Sequence, residues 1–499
     1  MKAFTEPLLS LAGFEEMTKT AEKSSGLISV TGCIDAQKSQ MIYAFGGHRK
    51  NKLIVTFGEQ KAKELYDEYS FFDKEVVYYP SKDVLFYQSD IRGNLLTAER
   101  IRALKAIREQ ERVTLVTTFD ALMNTMAPIE KMWENVLTLE QEQLLDLKEI
   151  QAALIRMGYE KEYQVQTMGQ FSVRGGILDV FPLTEENPIR IELWGDEIDT
   201  IRYFDCESQK SIENIEQVSI YPAAELVLSD EEKAGGIEKL KAEAKRVSDK
   251  LRKQMKTEEA HRVTVMADEL TEEWGELSMY AGMDAFLSYF FDERVGILDY
   301  FKPSDSLIFF DELTRCTEQG KLTETEFSES MKQRLAMGYI LPGQMNGLFT
   351  EKEIVAKLEK YSCIALGALD NKANGLHQLG SYGIHCQSVS PYNNSFELLI
   401  KDLKRYKKNG YRVILLSGSR TRAKRLSEDI TDQGITCFYT ENYDHELFEG
   451  QIMVCYGKVR RGFEYPILKF AVITESDIFG AQQKKKKRHR TYEGEKIQS

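Results

Sequence analysis

The feature that most constrains this chain is an alternation. Between residues 26 and 125, short apolar segments take turns with amphipathic ones. Leu27-Ile28-Ser29-Val30, Leu53-Ile54-Val55-Thr56, Val76-Val77-Tyr78-Tyr79 and Thr114-Leu115-Val116-Thr117 read as strands. Helical patterns run from Glu59 to Tyr69 and from near Thr97 to Glu109. A helix between two strands carries the chain back across the sheet, so the strands must lie parallel. The pattern predicts an α/β domain over residues 1–135. It resumes at Ser306-Leu307-Ile308-Phe309-Phe310, a buried strand ending in Asp311-Glu312.

Between these stretches the character changes. Residues 138–160 read as helical and rich in Glu and Leu. Residues 162–222 turn β-rich, with Gly175-Gly176 and Gly195-Asp196 as turns. Residues 136–225 are therefore expected to be a small α+β insert, with the interrupted domain resuming over 226–322. Helical pattern returns near 230, where Ser229 and Glu232 have the spacing of a capping box. Residues 323–360 read as a helical linker, and 361–478 as a second α/β domain. The segment 479–499 holds a dense basic cluster, Lys484-Lys485-Lys486-Lys487-Arg488-His489-Arg490, expected to be a solvated linker.

Composition narrows the function classes. Net charge is −13, which disfavours a general nucleic-acid coat, because counterion release needs clustered Lys and Arg. No apolar run approaches the roughly 18 residues needed to span a bilayer, so no membrane role is expected. The seven cysteines form no CxxC pair, which fits free thiols in a reducing cytoplasm.

Three motifs bear on chemistry. In Val30-Thr31-Gly32-Cys33-Ile34-Asp35-Ala36-Gln37-Lys38-Ser39, Gly32, Lys38 and Ser39 stand in the register of a phosphate-binding loop, G-x-x-x-x-G-K-[ST]. Gln37 replaces the second glycine. That glycine lets backbone N–H groups curl around phosphate, so a Gln side chain obstructs the nest. Asp311-Glu312 has the form of the acidic pair that orients Mg²⁺ and water, and beside the damaged loop it reads as a relic. Phe171 to Pro182 forms a hairpin with Arg174 at its turn, on composition alone ordinary β structure. Ser417-Gly418-Ser419-Arg420 reads as a βα turn whose helix N-terminus could seat an anion. No HExxH or GxSxG pattern occurs. The predicted fold is a parallel sheet like that of P-loop NTPases, split by an insert and followed by a second α/β domain.

VTGCIDAQKSQ, LIVTFGEQKAKELYDE, LTAERIRALKAI, TLVTTFDALM, GQFSVRGGILDVFP, RIELWGDEIDTIRYFD and RRGFEYPILKFAVITESDIFG follow one another in this order. The series resembles the N-terminal half of the bacterial transcription-repair coupling factors, and 162–222 also resembles the matching part of the excision-nuclease subunit UvrB. The resemblance implies that the insert docks onto UvrA, the damage-recognition protein. It implies a longer parent, in which an RNA-polymerase-interacting domain and a DNA translocase motor using ATP and Mg follow the basic linker. Polymerase and DNA contacts would belong to those domains, and this chain is expected to be a fragment without them. The region Tyr78 to Tyr87 is short where UvrB carries a long aromatic hairpin that probes damage, so damage verification is not expected here.

The chain is thus expected to be a non-catalytic adaptor that binds no cofactor and recruits UvrA to stalled polymerase. The rival is a UvrB-like ATPase or helicase subunit active in its own right. Arg174 is the first candidate for the UvrA contact, since a planar guanidinium pairs with carboxylates while its stem packs on apolar surface. Phe171, Arg190 and Phe181 lie on neighbouring strands. Phe181 ranks last, because strand alternation cannot place it both in a core and in an interface.

Overall fold

The structure, a computed structural model, describes residues 1–45, 49–83, 93–276, 282–370 and 375–480. The basic cluster 484–490 and residues 84–87 of the expected short hairpin region lie outside them. The chain divides into two compact units, one built from residues 13–32 and 42–383, the other from 1–12, 33–41 and the chain from 384 onward. No helix among the described residues is long and apolar enough to cross a membrane.

The larger unit begins with β1 (Gly26–Thr31), β2 (Asn51–Thr56), β3 (Val76–Tyr79) and β4 (Thr114–Thr118). The insert follows as β5 (Leu137–Glu140), β6 (Glu160–Lys161), β7 (Gln170–Arg174), β8 (Ile177–Val180), β9 (Ile189–Trp194), β10 (Glu197–Phe204), β11 (Ser211–Ile215) and β12 (Gln217–Ile220). The chain then returns through β13 (Ser306–Asp311), β14 (Ser362–Leu366) and β15 (Gln378–Gly383). The main sheet has seven strands in the order β15-β1-β14-β13-β2-β4-β3, all parallel. The split α/β architecture expected from the alternation is therefore present.

Two details differ from the sequence reading. Residues 323–360 are not a linker: helices Leu313–Ala336 and Glu351–Leu358 carry the chain from β13 to its parallel neighbour β14. β14 is buried along its whole length, as a strand inserted between two others must be. The first sheet thus takes in β14 and β15, and the second α/β unit begins after Gly383 rather than at 361. Residues 137–140 are likewise a strand, not helix. Their period is two, and Leu139 pairs with Val218 of β12. The helix there is Leu147–Arg156, capped by Asp146.

The insert is a six-stranded sheet, β11-β10-β9-β8-β7-β6, antiparallel except for β6 and β7. One face packs Phe171, Leu178, Val180, Ile189, Ile191 and Ile201 with Leu154 of the neighbouring helix. Residues after the insert form two helices, Asp230–Lys253 and Thr257–Glu276, the first opened by the capping box of Ser229 and Glu232.

A buried ionic cluster lies where the chain leaves the insert. Arg100 donates to both Glu225 oxygens, at 2.7 and 3.1 Å, and to the Pro80 carbonyl at 2.6 Å. Its guanidinium lies 4.0 Å from the Tyr79 ring centre. Lys82 pairs with Glu225 at 3.1 Å and with Asp284 at 2.6 Å. Burial alone would raise the Glu225 carboxyl, but the Arg100 and Lys82 charges outweigh it and hold the group at about 2.

In the smaller unit β16 (Gln387–Ser388), β17 (Arg412–Ser417), β18 (Phe438–Tyr439), β19 (Ile452–Tyr456), β20 (Phe463–Tyr465) and β21 (Phe470–Thr474) form a sheet ordered β16-β20-β21-β17-β19-β18. Helices Phe396–Lys408 and Arg420–Asp432 supply Leu399, Leu403, Ala423 and Leu426 to its core.

Candidate partner-docking site

The hairpin of the insert is built by two glycines. Arg174 pairs with Ile177, leaving Gly175-Gly176 as a two-residue loop, and Gly175 has φ +60°, which glycine adopts without strain. Alternation then decides the faces. Phe171 and Val173 point to the core, while Ser172 and Arg174 point to the opposite face. Register extends that face across the sheet. Ser172, Asp179, Arg190, Arg202 and Asn214 form one row, and Arg174, Ile177, Glu192 and Thr200 the next.

Ion pairs knit the two rows together. Arg190 donates through Nε and Nη2 to the two Asp179 oxygens, at 2.7 and 2.8 Å. Its Nη2 also meets Gln209 Oε1 at 2.8 Å, and its guanidinium stacks 4.3 Å from the Phe204 ring centre. Arg174 reaches diagonally to Asp179 Oδ2 at 2.8 Å. Arg202 and Glu192 make a second diagonal pair, and the hydrogen bond from Arg202 lowers the Glu192 carboxyl. Asp179 is 1% exposed, Arg190 13% and Arg174 36%. Two large aromatics stand in solvent beside these rows. Trp194 follows Glu192 on β9, and Tyr163 accepts from Ser172 through its carbonyl.

The sequence-predicted residues therefore separate. Arg174 and Arg190 lie on the polar face, joined through Asp179. Phe171 is fully buried in the core, so alternation removes it from any contact surface. Phe181 is buried at the end of β8, with its backbone bonded to Gln170 and Gly169. Sequence reasoning missed Asp179, the Glu192–Arg202 pair and Trp194. The available signal was an acid inside the apolar run Ile177-Leu178-Asp179-Val180, because a carboxylate at a covered strand position needs cations nearby.

The nucleotide-type loop is assembled differently. Val30, Leu366 and Asp311 are in register, so β1 and β13 end at the same edge of the sheet with β14 between them. Gly32 has φ +78°, as such a turn requires. Lys38 is buried and pairs with Asp35 at 3.1 Å. Gln37 is fully buried, and neither its amide atoms nor the Ser39 hydroxyl has a hydrogen-bond partner among the described residues. Asp311 is buried and accepts from Thr56 at 2.8 Å, and Glu312 accepts from the Ala368 backbone at 3.3 Å. These residues do not fit ATP and Mg²⁺. The lysine that should meet phosphate pairs with Asp35, one turn earlier on the helix Asp35–Ala44, and a side chain fills the position that needs glycine. At the βα turn of the smaller unit, Glu475 accepts from Gly418 N at 2.6 Å and Ser417 Oγ at 3.0 Å, and pairs with Arg422. The chain's own carboxylate thus sits where the turn could seat an anion.

Residues 137–226, the insert, match the family model of the UvrB interaction domain. The wider chain is similar to the transcription-repair-coupling factor of Bacillus subtilis, 28% identical over 437 residues, which covers 87% of this chain and 36% of that protein. Against the factor of Staphylococcus haemolyticus the identity is 27% over 484 residues, 95% of this chain and 40% of that one. The factor of Staphylococcus aureus strain MRSA252 gives 26% over 488 residues. The chain is homologous to transcription-repair-coupling factors and fits their N-terminal part, spanning well under half the length of these relatives.

Proposed function

We propose that this chain is the recruiting portion of a transcription-repair coupling factor and that its insert docks UvrA. The observation that carries the reading is the polar face of the insert. Within the segment that matches the UvrB interaction domain, it presents a half-exposed arginine and an exposed tryptophan on a six-stranded sheet. Arg and Trp are the residue types that dominate binding energy when a partner covers them. No nucleotide chemistry is assigned to the segment after β1: Gln37 and the Asp35–Lys38 pair leave it unsuited to nucleotide. ATP, Mg, DNA and RNA polymerase are engaged by other parts of the complete factor.

The experiment is capture of purified UvrA on the immobilised full chain, with melting curves as control. Retention by wild type, weakened in an Arg174→Ala variant that melts normally, is expected. A wild-type chain that folds and retains no UvrA overturns the reading.

A further inference from the structure

Asp179 makes three hydrogen bonds to two guanidinium groups and is almost completely covered. The two arginines are not equivalent. Arg190 is directly opposite Asp179, bites it with two donors, gives a further bond to Gln209 and lies against Phe204. Its position is fixed from every side. Arg174 sits on the diagonal and makes a single hydrogen bond among the described residues, through Nη2 to Asp179. Its side chain is nearly three times as exposed as that of Arg190. Within this trio two positive charges meet one negative charge, and the nearby Glu192 carboxylate is hydrogen-bonded by Arg202 and also acts on Arg190. A guanidinium has five N–H donors in a fixed plane, and anchoring one edge orients the others.

We propose that Asp179 is a positioning residue of the docking face: it holds the Arg174 fork ready for a carboxylate on the partner, while Arg190 holds Asp179. This rests on the docking reading above. A buried carboxylate whose only role was internal neutrality would need one arginine, and Arg190 already satisfies both of its oxygens. The second arginine gains order from the contact and keeps donors for a bidentate pair, the arrangement that suits Arg to planar anions. Holding the fork in place before binding lowers the ordering cost at the moment of contact.

The test is a double-mutant cycle on UvrA binding by the full chain, using Arg174→Ala and Asp179→Asn, with a melting curve for each variant. Asn has the shape of Asp but only one acceptor oxygen, which the directly opposed Arg190 retains, so Arg174 is released. Each single variant is expected to weaken binding roughly ten-fold. The double variant should bind no worse than Arg174→Ala alone, because Asp179 acts through Arg174. Arg174→Lys keeps the charge and loses the fork, and is expected to bind nearly as weakly as Arg174→Ala. It serves as an independent reading if Asp179→Asn fails to fold. Full binding by a folded Asp179→Asn, multiplicative losses in the double variant, or wild-type binding by Arg174→Lys would each overturn the positioning role while leaving the docking reading in place. A wild-type chain without affinity for UvrA overturns both.

Discussion

Arg100 and Arg174 each pair with a buried carboxylate, Glu225 and Asp179, yet their surroundings are opposites. Arg100 has no exposed surface, and a tyrosine ring and a backbone carbonyl close around it. Arg174 keeps about a third of its side chain in solvent. The same chemistry therefore serves two ends. The first cluster joins segments distant in sequence, since Tyr79, Arg100, Glu225 and Asp284 come from strand, helix, insert exit and a later 3-10 helix. The second lies within one sheet and leaves a donor set facing outward. An ion pair is structural or available to a partner according to what covers it, and a sequence does not print its covering.

The largest effect should come from breaking the covered pair. Arg100→Met keeps the length but leaves Glu225 without its main partner in a site it cannot leave. Removing one member of a buried pair costs about 3–5 kcal/mol. Arg174→Met should cost under about 1 kcal/mol, as half-exposed pairs do, and Asp179 retains Arg190. Urea unfolding of both variants measures the difference. Equal destabilisation would erase the distinction between the clusters.

Acid sharpens the same contrast. The folded-state value of Glu225 is about 2 against an ordinary 4.5. A depressed carboxylate contributes stability above its unfolded value and loses it as pH falls toward the folded one. The window is thus about pH 4.5 down to about 2. The shift corresponds to a contribution on the order of 3 kcal/mol. Unfolding free energies at pH 3 and pH 6 should show a smaller acid loss in Glu225→Gln than in wild type. Parallel losses would mean that other groups govern acid sensitivity.

On the exposed side, Arg174→Ala should cost about 1–3 kcal/mol of UvrA binding with little change in melting temperature. Calorimetry with purified UvrA reads the first quantity and thermal melts the second. A large fall in stability would move Arg174 into the structural class with Arg100.

The strands of the main sheet were legible because a buried parallel strand must be an apolar run, and Leu53 to Val55 or Ser306 to Phe310 can hardly be anything else. β14 was assigned with residues 361–478 to the second α/β domain, since Ser362 to Leu366 carries no mark of which neighbours it sits between. Arg174 was singled out as a candidate because a Gly-Gly turn follows it, and the structure places it on the polar face of the insert. Asp179 was passed over, because its partners are set by cross-strand register and a diagonal reach, neither of which is local in sequence. Phe171 was named because it lies on a neighbouring strand position of the hairpin, and the pleat puts residues 171 and 174 on opposite faces.

The smallest expected effect is none at all, and it concerns the loop after β1. A ligand that binds only the folded state stabilises it by about 2.7 kcal/mol at a hundred times its dissociation constant. A working nucleotide site would therefore raise the melting temperature visibly in millimolar ATP and Mg²⁺. This loop is expected to give no shift. Its lysine is buried against Asp35, and the fully buried Gln37 side chain stands where phosphate-binding backbone would have to curl. Lys38→Ala is then expected to leave the nucleotide titration as flat as in wild type, whatever it does to stability. A rise with ATP that Lys38→Ala removes would show that the loop still holds phosphate, and would turn the acidic pair Asp311-Glu312 from a relic into a candidate partner of the metal.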